Sequence, residues 1–513
     1  MAYKHGVYAS EIATSILPPR TVDAGIPFVV GTAPVGMADP DNVNKPVLCH
    51  TYADFVKAFG WVPPEADSAS GKKKFAYSLC EAAYAAFVLY GIAPIVCVNV
   101  LDPDTHRTAA ETTVLNIPVS AGSITVPESG VIPSTVTITL TTTTEPEAGS
   151  EEEPVTTVTT YEEGTHYELA FDDDAHLVVN VLYDSASGDP LVPLGTELGF
   201  SAYVTDPGEV DGDDVIGGVD SSDAKSGLEL VEEMYPRFGL VPGTIIAPGF
   251  SDAPGVAAVM SAKTTGVNGL FGCVCACDVP TAASGGADQY SEVNAWKNQN
   301  NYVHPRQIVC WPMVELDGIL FHMSSHVAAR MAATDADNGN IPYVSPSNKS
   351  FEMTAAVLEN GEEVWLSGET ANYLNGQGIV TALNFEGGWR CWGNRTGAYP
   401  SNTDPKDAFI PVRRMFNWLG NTLILTYWQR VDYPLNRRQI QTIVDSANIW
   451  LNGLAARQCI LGGRVEFLES ENPVTSLEDG IATFHVYVTP PVPNRDLEFV
   501  LEYDVNYFST LFE

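Results

Sequence analysis

Apolar and polar positions follow different rhythms along this chain, and the points where the rhythm changes divide it. Residues 28–33, Phe-Val-Val-Gly-Thr-Ala, and 94–101 are short apolar runs, the pattern of strands buried on both faces. Between them, residues 53–59 and 77–89 predict helices, the second apolar on most faces and therefore buried. After Asp102 the pattern turns to period two. Residues 134–144, 155–161, 166–171 and 177–182 alternate, with polar turns at 145–153 and 172–174, which predicts an all-β unit. Further on, apolar runs at 244–247, 270–278 and 307–314 alternate with helical patterns at 252–264, 288–299 and 324–334. That order predicts a largely parallel sheet with helices on its faces. Asp252 is the expected N-cap of the first of these helices, with Pro254 in its first turn, and Ser324 or Ser325 that of the last.

Residues 438–455 place Ile440, Ile443, Val444, Ala447, Leu451 and Leu454 on one helical face. Strand patterns follow at 463–468 and 481–488, then the stiff spacer Pro490-Pro491-Val492-Pro493. A last predicted strand, 497–505, puts Leu497, Phe499, Leu501, Tyr503 and Val505 on one face. At the other end, Val7, Ala9 and Glu11 alternate with Tyr8, Ser10 and Ile12 before Pro18-Pro19 forces extended backbone. That segment reads either as a frayed end or as an arm that pairs elsewhere. Neither terminal strand has an obvious local partner. The division is an N-terminal arm (1–25), the first part of an α/β core (26–102), an inserted acidic β domain (103–225), the continued α/β middle domain (226–345) and a C-terminal α+β unit (346–513). The predicted fold class is thus α/β and α+β multidomain.

Length and charge sharpen this picture. A chain of 513 residues is too long for one ordinary core. Only 18% of residues are charged, few for so large a protein, so part of the surface is expected to be covered by partners. The net charge is −38, from 26 basic and 64 acidic side chains, which repels nucleic acid and anionic membranes. Residues 104–225 hold 24 acids and 2 bases, a net −22 of that total, read as a solvated outer surface. The longest apolar stretch, 82–100, is broken by Gly91 and Pro94, so no membrane insertion is expected. The start shows no secretory pattern, and the nine cysteines lie mostly in apolar runs, as reduced buried thiols do.

Chemistry-bearing patterns are weak. Cys273, Cys275 and Cys277 fall on one face of a predicted strand, where three in-line thiols cannot wrap a tetrahedral zinc. His322 and His326 are four apart, but the row reads His-Met-Ser-Ser-His, without the glutamate of a metalloprotease helix. Gly249-Phe-Ser-Asp-Ala lacks the closing glycine of a nucleophile elbow. The acidic stretch 206–214 does not match a calcium loop. Phosphate-binding and dinucleotide-binding glycine motifs are missing. Neither catalysis, a cofactor nor a metal is expected.

Several segments together resemble the contractile tail sheath family of phages and phage-derived particles. They are the opening 3–12, Tyr-Lys-His-Gly-Val-Tyr-Ala-Ser-Glu-Ile; Phe28-Val-Val-Gly-Thr-Ala-Pro; Ala247-Pro-Gly-Phe-Ser; and Ala333-Thr-Asp-Ala-Asp-Asn-Gly followed by Ser345-Pro-Ser-Asn. Leu374-Asn-Gly-Gln-Gly-Ile and Trp392-Gly-Asn-Arg-Thr are the most specific, and Phe499-Val-Leu-Glu-Tyr-Asp fits the terminal strand. The matches keep the family's order from residue 3 to about 504, and the outlying part, about 103–225, falls where the family has a variable outward insertion.

The resemblance implies a structural subunit that polymerises as stacked hexameric rings around a tail tube. It contracts to drive the tube through a bacterial envelope. Implied partners are the chain itself, the tube protein, and baseplate and tail terminator proteins. The implied location is the tail of a virion assembled in a host bacterial cytoplasm. Terminal strands are exchanged between subunits, which assigns that role to Tyr3, Val7, Tyr8, Ile12, Leu497, Phe499, Leu501, Tyr503 and Val505. The middle domain of some relatives is subtilisin-like in shape, but no Asp/His/Ser set here supports a protease. Residues 406–464 carry eight bases against Asp407, Asp432 and Asp445. These bases either neutralise acids elsewhere or, at Arg437 and Arg438, face an acidic tube. The alternatives are a tube subunit, which is much shorter and mainly β, the sheath of a related injection or secretion machine, and a hydrolase with an acidic lid.

Overall fold

A computed structural model describes residues 18–144 and 155–512. Tyr3, Val7, Tyr8 and Ile12, and the whole of the turn expected at 145–153, lie outside the described residues. The apolar runs become the centre of an eight-stranded sheet. Its order is Pro46–Cys49, Ile95–Asn99, Pro27–Gly31, Thr244–Ile246, Val274–Asp278, Gln307–Cys310, Ile379–Phe385 and Gly388–Trp392. The first and last pairs are antiparallel, and every pair between them is parallel. Every residue of the strands at 27–31, 95–99 and 274–278 is buried, which is why these segments carry no alternation. Helix Met323–Asp337 crosses one face, packed on strands 27–31, 244–246, 274–278 and 307–310.

The sheet extends further along the sequence than its pattern suggested. Strands 379–385 and 388–392 were assigned to the C-terminal unit, yet they complete the main sheet, with Val309 opposite Ile379. The start of 379–385 is itself a buried apolar run, and it pairs with the parallel edge left open by 307–310. The predicted strand 307–314 splits at Trp311-Pro312, and its second half, Met313–Leu316, joins a separate five-stranded sheet.

The inserted β domain has its own core, built from Leu115, Val126, Ile138, Tyr167, Leu177, Val179, Leu198 and Phe200 among others. Its first and last strands, Arg107–Ala109 and Tyr203–Thr205, pair with each other, so the domain hangs from adjacent chain ends. It is narrower than 103–225, because Val210 and Val215 already belong to the main core.

Two expected caps are not caps. Helix Pro254–Lys263 is preceded by Ala253 rather than capped by Asp252, although Pro254 does occupy its first turn. Helix Met323–Asp337 starts one residue before Ser324, and the carboxylate of Asp278 takes the Ser324 N–H at 2.8 Å. A side chain distant in sequence does the work that a local one was expected to do.

The C-terminal unit holds helices Ile410–Tyr427 and Arg437–Ala456 and the antiparallel pair Gly462–Glu466 and His485–Thr489. Asn448 fastens the second helix to this pair by accepting from and donating to the backbone of Val465. The residues at 20–25 are not a free arm. They lie along helix 410–427, where the Trp418 indole N–H donates to the Val22 carbonyl at 2.7 Å.

Candidate assembly surface

The buried polar groups at the ends of the parallel strands form a network, but not an active site. Asp278 accepts from the hydroxyls of Ser251 and Ser324, and the Tyr302 hydroxyl donates to the Ser251 carbonyl. Glu81 accepts from the His322 N–H and the Ser325 hydroxyl and contacts His322 Nδ1, all at 2.8 Å. Each serine hydroxyl therefore bonds straight to a carboxylate, Ser251 and Ser324 to Asp278 and Ser325 to Glu81, and the imidazole of His322 bonds to Glu81 rather than to a serine. A nucleophile activated by a base is not formed. Burial raises the pKa of Asp278, while the nearby His322 charge lowers it. Burial disfavours charged His322, but the Glu81 carboxylate and their hydrogen bond outweigh it and hold the pKa up, at about 10. The arrangement clamps the start of helix 323–337 to the helix carrying Glu81.

The other chemical patterns resolve into packing. Cys273, Cys275 and Cys277 are buried, and burial pushes the Cys273 thiol up to about 12. His322 precedes its helix while His326 lies inside it, facing Phe321 and Phe351, so the pair does not converge. Among the described residues, no cluster of three or more His, Cys, Asp or Glu side chains is placed to hold a metal ion. Nor is any helix among them long and apolar enough to cross a membrane.

What the structure leaves uncovered lies at the C-terminal end. The pair 462–466 and 485–489 forms a two-stranded sheet, so the outer edge of each strand is open among the described residues. Such a pair is marginal in water and gains from added strands. The residues beyond it, 490–504, form neither helix nor strand. The predicted last strand does not form within the chain, and Val505 opens a short 3-10 turn instead. A strand needs an edge to pair with, and among the described residues no edge pairs with the segment. Leu497, Phe499, Leu501, Tyr503 and Val505 are 71%, 85%, 94%, 76% and 63% exposed. A run of exposed large apolar side chains is the signature of an interface.

The basic cluster divides in two. Arg414 is buried against Asp335, Arg413 and Lys406 meet Asp407, and Arg464 meets Glu466. Arg437 and Arg438 are exposed in the first turn of helix 437–456, without an ion pair among the described residues. Positive charge there opposes the helix dipole. Around them stand exposed Trp428, Val431, Tyr433 and Leu435, with the Arg430 guanidinium 5.3 Å from the Tyr433 ring centre.

Sequence reasoning missed a polar cavity of about 410 Å³. Three of the quoted motifs converge on it: Ser345, Ser347 and Asn348 from one, Asn375 and Gly376 from the second, and Trp392, Gly393, Asn394 and Arg395 from the third. The root of the C-terminal segment, 493–496, forms the remaining wall. Next to it, buried Lys297 donates to the carbonyls of Gln377 and Tyr399 at 2.7 and 3.0 Å, and burial lowers its pKa to about 8. The motif spacing was the signal available, but only the fold brings the motifs together.

No family model matches the chain. It is similar along nearly its whole length to one tail sheath protein and over parts of its length to others. The tail sheath protein of Burkholderia phage BcepMu is 26% identical over 99% of this chain and 98% of its own. A putative prophage major tail sheath protein of Pseudomonas aeruginosa is 23% identical over 76% of this chain and 95% of its own. Among solved structures, the sheath complex of an extracellular contractile injection system in its contracted state shares the fold. It has a TM-score of 0.57 at 13% identity and covers 99% of both chains.

Proposed function

We propose, from this relationship to tail sheath proteins, that the chain is the structural subunit of a contractile tail sheath and not an enzyme. Copies polymerise as stacked hexameric rings around a tail tube, and the polymer contracts to drive the tube through a bacterial envelope. What carries this reading is the apolar segment 497–504, which the chain itself leaves uncovered in a protein alike to sheath proteins from end to end. The segment adds to the open edges of the strand pair 462–466 and 485–489 in a neighbouring copy. The N-terminal residues Tyr3, Val7, Tyr8 and Ile12 supply the second exchanged strand. Main-chain pairing of this kind tolerates rotation of the subunits, which a switch between two packings requires.

Arg437 and Arg438, with the aromatic residues around them, face an acidic tube. The acidic β domain faces outward. Baseplate and terminator proteins hold the two ends of the polymer, which belongs to a virion assembled in the host cytoplasm. The full-length phage relative favours a phage tail over a secretion machine.

The test is truncation after Asp496. Full-length protein is expected to form hollow cylinders in negative-stain micrographs. The shortened chain should stay folded by circular dichroism yet remain dispersed. Cylinders from the shortened chain would remove the arm from the mechanism, and dispersed full-length protein would remove the sheath itself.

A further inference from the structure

The cavity behind the C-terminal arm carries an unbalanced charge. Arg395 and Arg495 both line it, and Asp496 is the single acid among its lining residues. Among the described residues neither arginine takes part in an ion pair. The described acids therefore leave two guanidiniums lining one space. Arg395 is held rigidly: its guanidinium carbon lies 3.6 Å from the Phe409 ring centre and 4.2 Å from that of Tyr399. Stacking on its faces leaves the N–H edges free for a ligand in the guanidinium plane. Burial and, further, the charge of Arg495 oppose the charged form of Arg395, while Tyr399 favours it. Arg395 is partly buried and Arg495 exposed at the cavity mouth, and an anion that arrives with its own charge relieves the repulsion between them.

We infer that this cavity is a socket for a carboxylate side chain from a second copy of the chain, gripped between Arg395 and Arg495. The occupant follows from charge. The chain carries 64 acidic side chains against 26 basic ones, so the surface that a homopolymer presses against such a socket is rich in carboxylates. It follows also from place. Arg495 stands two residues before Leu497, where the exposed segment leaves the body. A neighbour's carboxylate seated there fixes the root of the arm when, and only when, the neighbour is in position. The socket thus couples arm direction to subunit docking. This rests on the sheath reading, and it adds a charged contact that strand addition does not supply.

The experiment starts from wild-type cylinders, whose absence overturns the sheath reading rather than the socket. R495K keeps the charge and places an amine in the socket. Cylinders grown from mixed unlabelled and ¹⁵N-labelled R495K chains are treated with a water-soluble carbodiimide, which joins an amine to a carboxylate in contact as an amide and carries off the water as a urea. Mass spectrometry is expected to find the new amine joined to an Asp or Glu of the other isotope. Cross-links only within one copy, or none in intact cylinders, overturn the socket. A second variant, R395Q/R495Q, covers the case in which R495K does not assemble. Its monomer should melt as wild type does, while the yield of sedimenting cylinders falls by about tenfold or more, as loss of a charge-assisted contact in every copy requires. Wild-type yield from this variant overturns the socket as well.

Discussion

Arg414 on helix 410–427 and Asp335 near the end of helix 323–337 form a buried ion pair, with Arg414 Nη1 3.0 Å from Asp335 Oδ1. The other arm of the same guanidinium contacts the second carboxylate oxygen and the Ala24 carbonyl. Three segments far apart in sequence therefore meet at one planar group: the first described residues, the middle domain and the C-terminal unit. Burial raises the pKa of Asp335, and Arg414 opposes that rise.

Removing one partner leaves the other buried and uncompensated. R414M is expected to cost about 3–5 kcal/mol in urea denaturation. D335L/R414M should recover most of that loss, because two apolar side chains need no counter-charge. A single variant as stable as wild type would show that the pair does not join the domains.

His322 and His326 titrate in opposite directions. His326 is fully buried, its Nε2 has no hydrogen-bond partner, and burial lowers its pKa to about 3. The unfolded state then takes up the proton first as pH falls. Stability is full above about 6.5 and declines between about 6.5 and 3, by at most ~1.4 kcal/mol per pH unit. His322, held up at about 10, contributes fully below about 6.5 and loses that contribution as pH rises toward 10. Difference curves against H326L and H322Q, from urea melts at stepped pH, should isolate the acid and the alkaline window. A flat H326L difference between pH 4 and 6 would contradict the acid window.

Replacing residues 107–205 by a short Gly-Ser linker should leave a folded chain. Arg107 and Thr205 sit opposite each other, and the domain keeps a core of its own. The shortened protein is expected to melt within a few degrees of wild type and to form cylinders. Loss of cylinders with the fold intact would place the acidic domain inside the assembly rather than on its outside.

R437E/R438E should leave the monomer intact or slightly firmer, by roughly 0.3–1 kcal/mol, since acids suit a helix N-terminus. In particles made with the tube, the same variant should shift the population from extended, filled tails to contracted, empty cylinders. Each arginine contact is an exposed, salt-screened one of roughly 0–1 kcal/mol, so the effect should grow with ring number and shrink in high salt. Normal extended tails would remove the tube contact.

Much of the architecture was legible as period. The runs at 28–33, 94–101 and 244–247 and the second part of 270–278 became parallel strands, because only a strand covered on both faces needs no polar alternation, while Phe271–Gly272 turned back into an antiparallel hairpin with Thr265–Val267. The alternating Thr-rich segments became the inserted sheet. The predicted helix 438–455 became 437–456, with Ala447, Leu451 and Leu454 inward. The caps were misread at Asp252 and Ser324, since a helix start accepts any carboxylate that reaches it, and Asp278 reaches one from 46 residues away.

By itself the sequence determined much of the strand and helix content, the separate acidic β unit and an order of motifs resembling sheath proteins. Those properties depend on the spacing of residues along one segment. Tertiary structure alone decided that strands 379–392 close the main sheet, that residues 20–25 dock on helix 410–427, and that three motifs and the root of the arm enclose one cavity with two arginines that have no ion pair among the described residues. It also decided that the final apolar segment finds no edge among the described residues. Each of these turns on which distant surfaces meet, and a one-dimensional pattern records what a residue needs to be covered by but not which part of the molecule covers it.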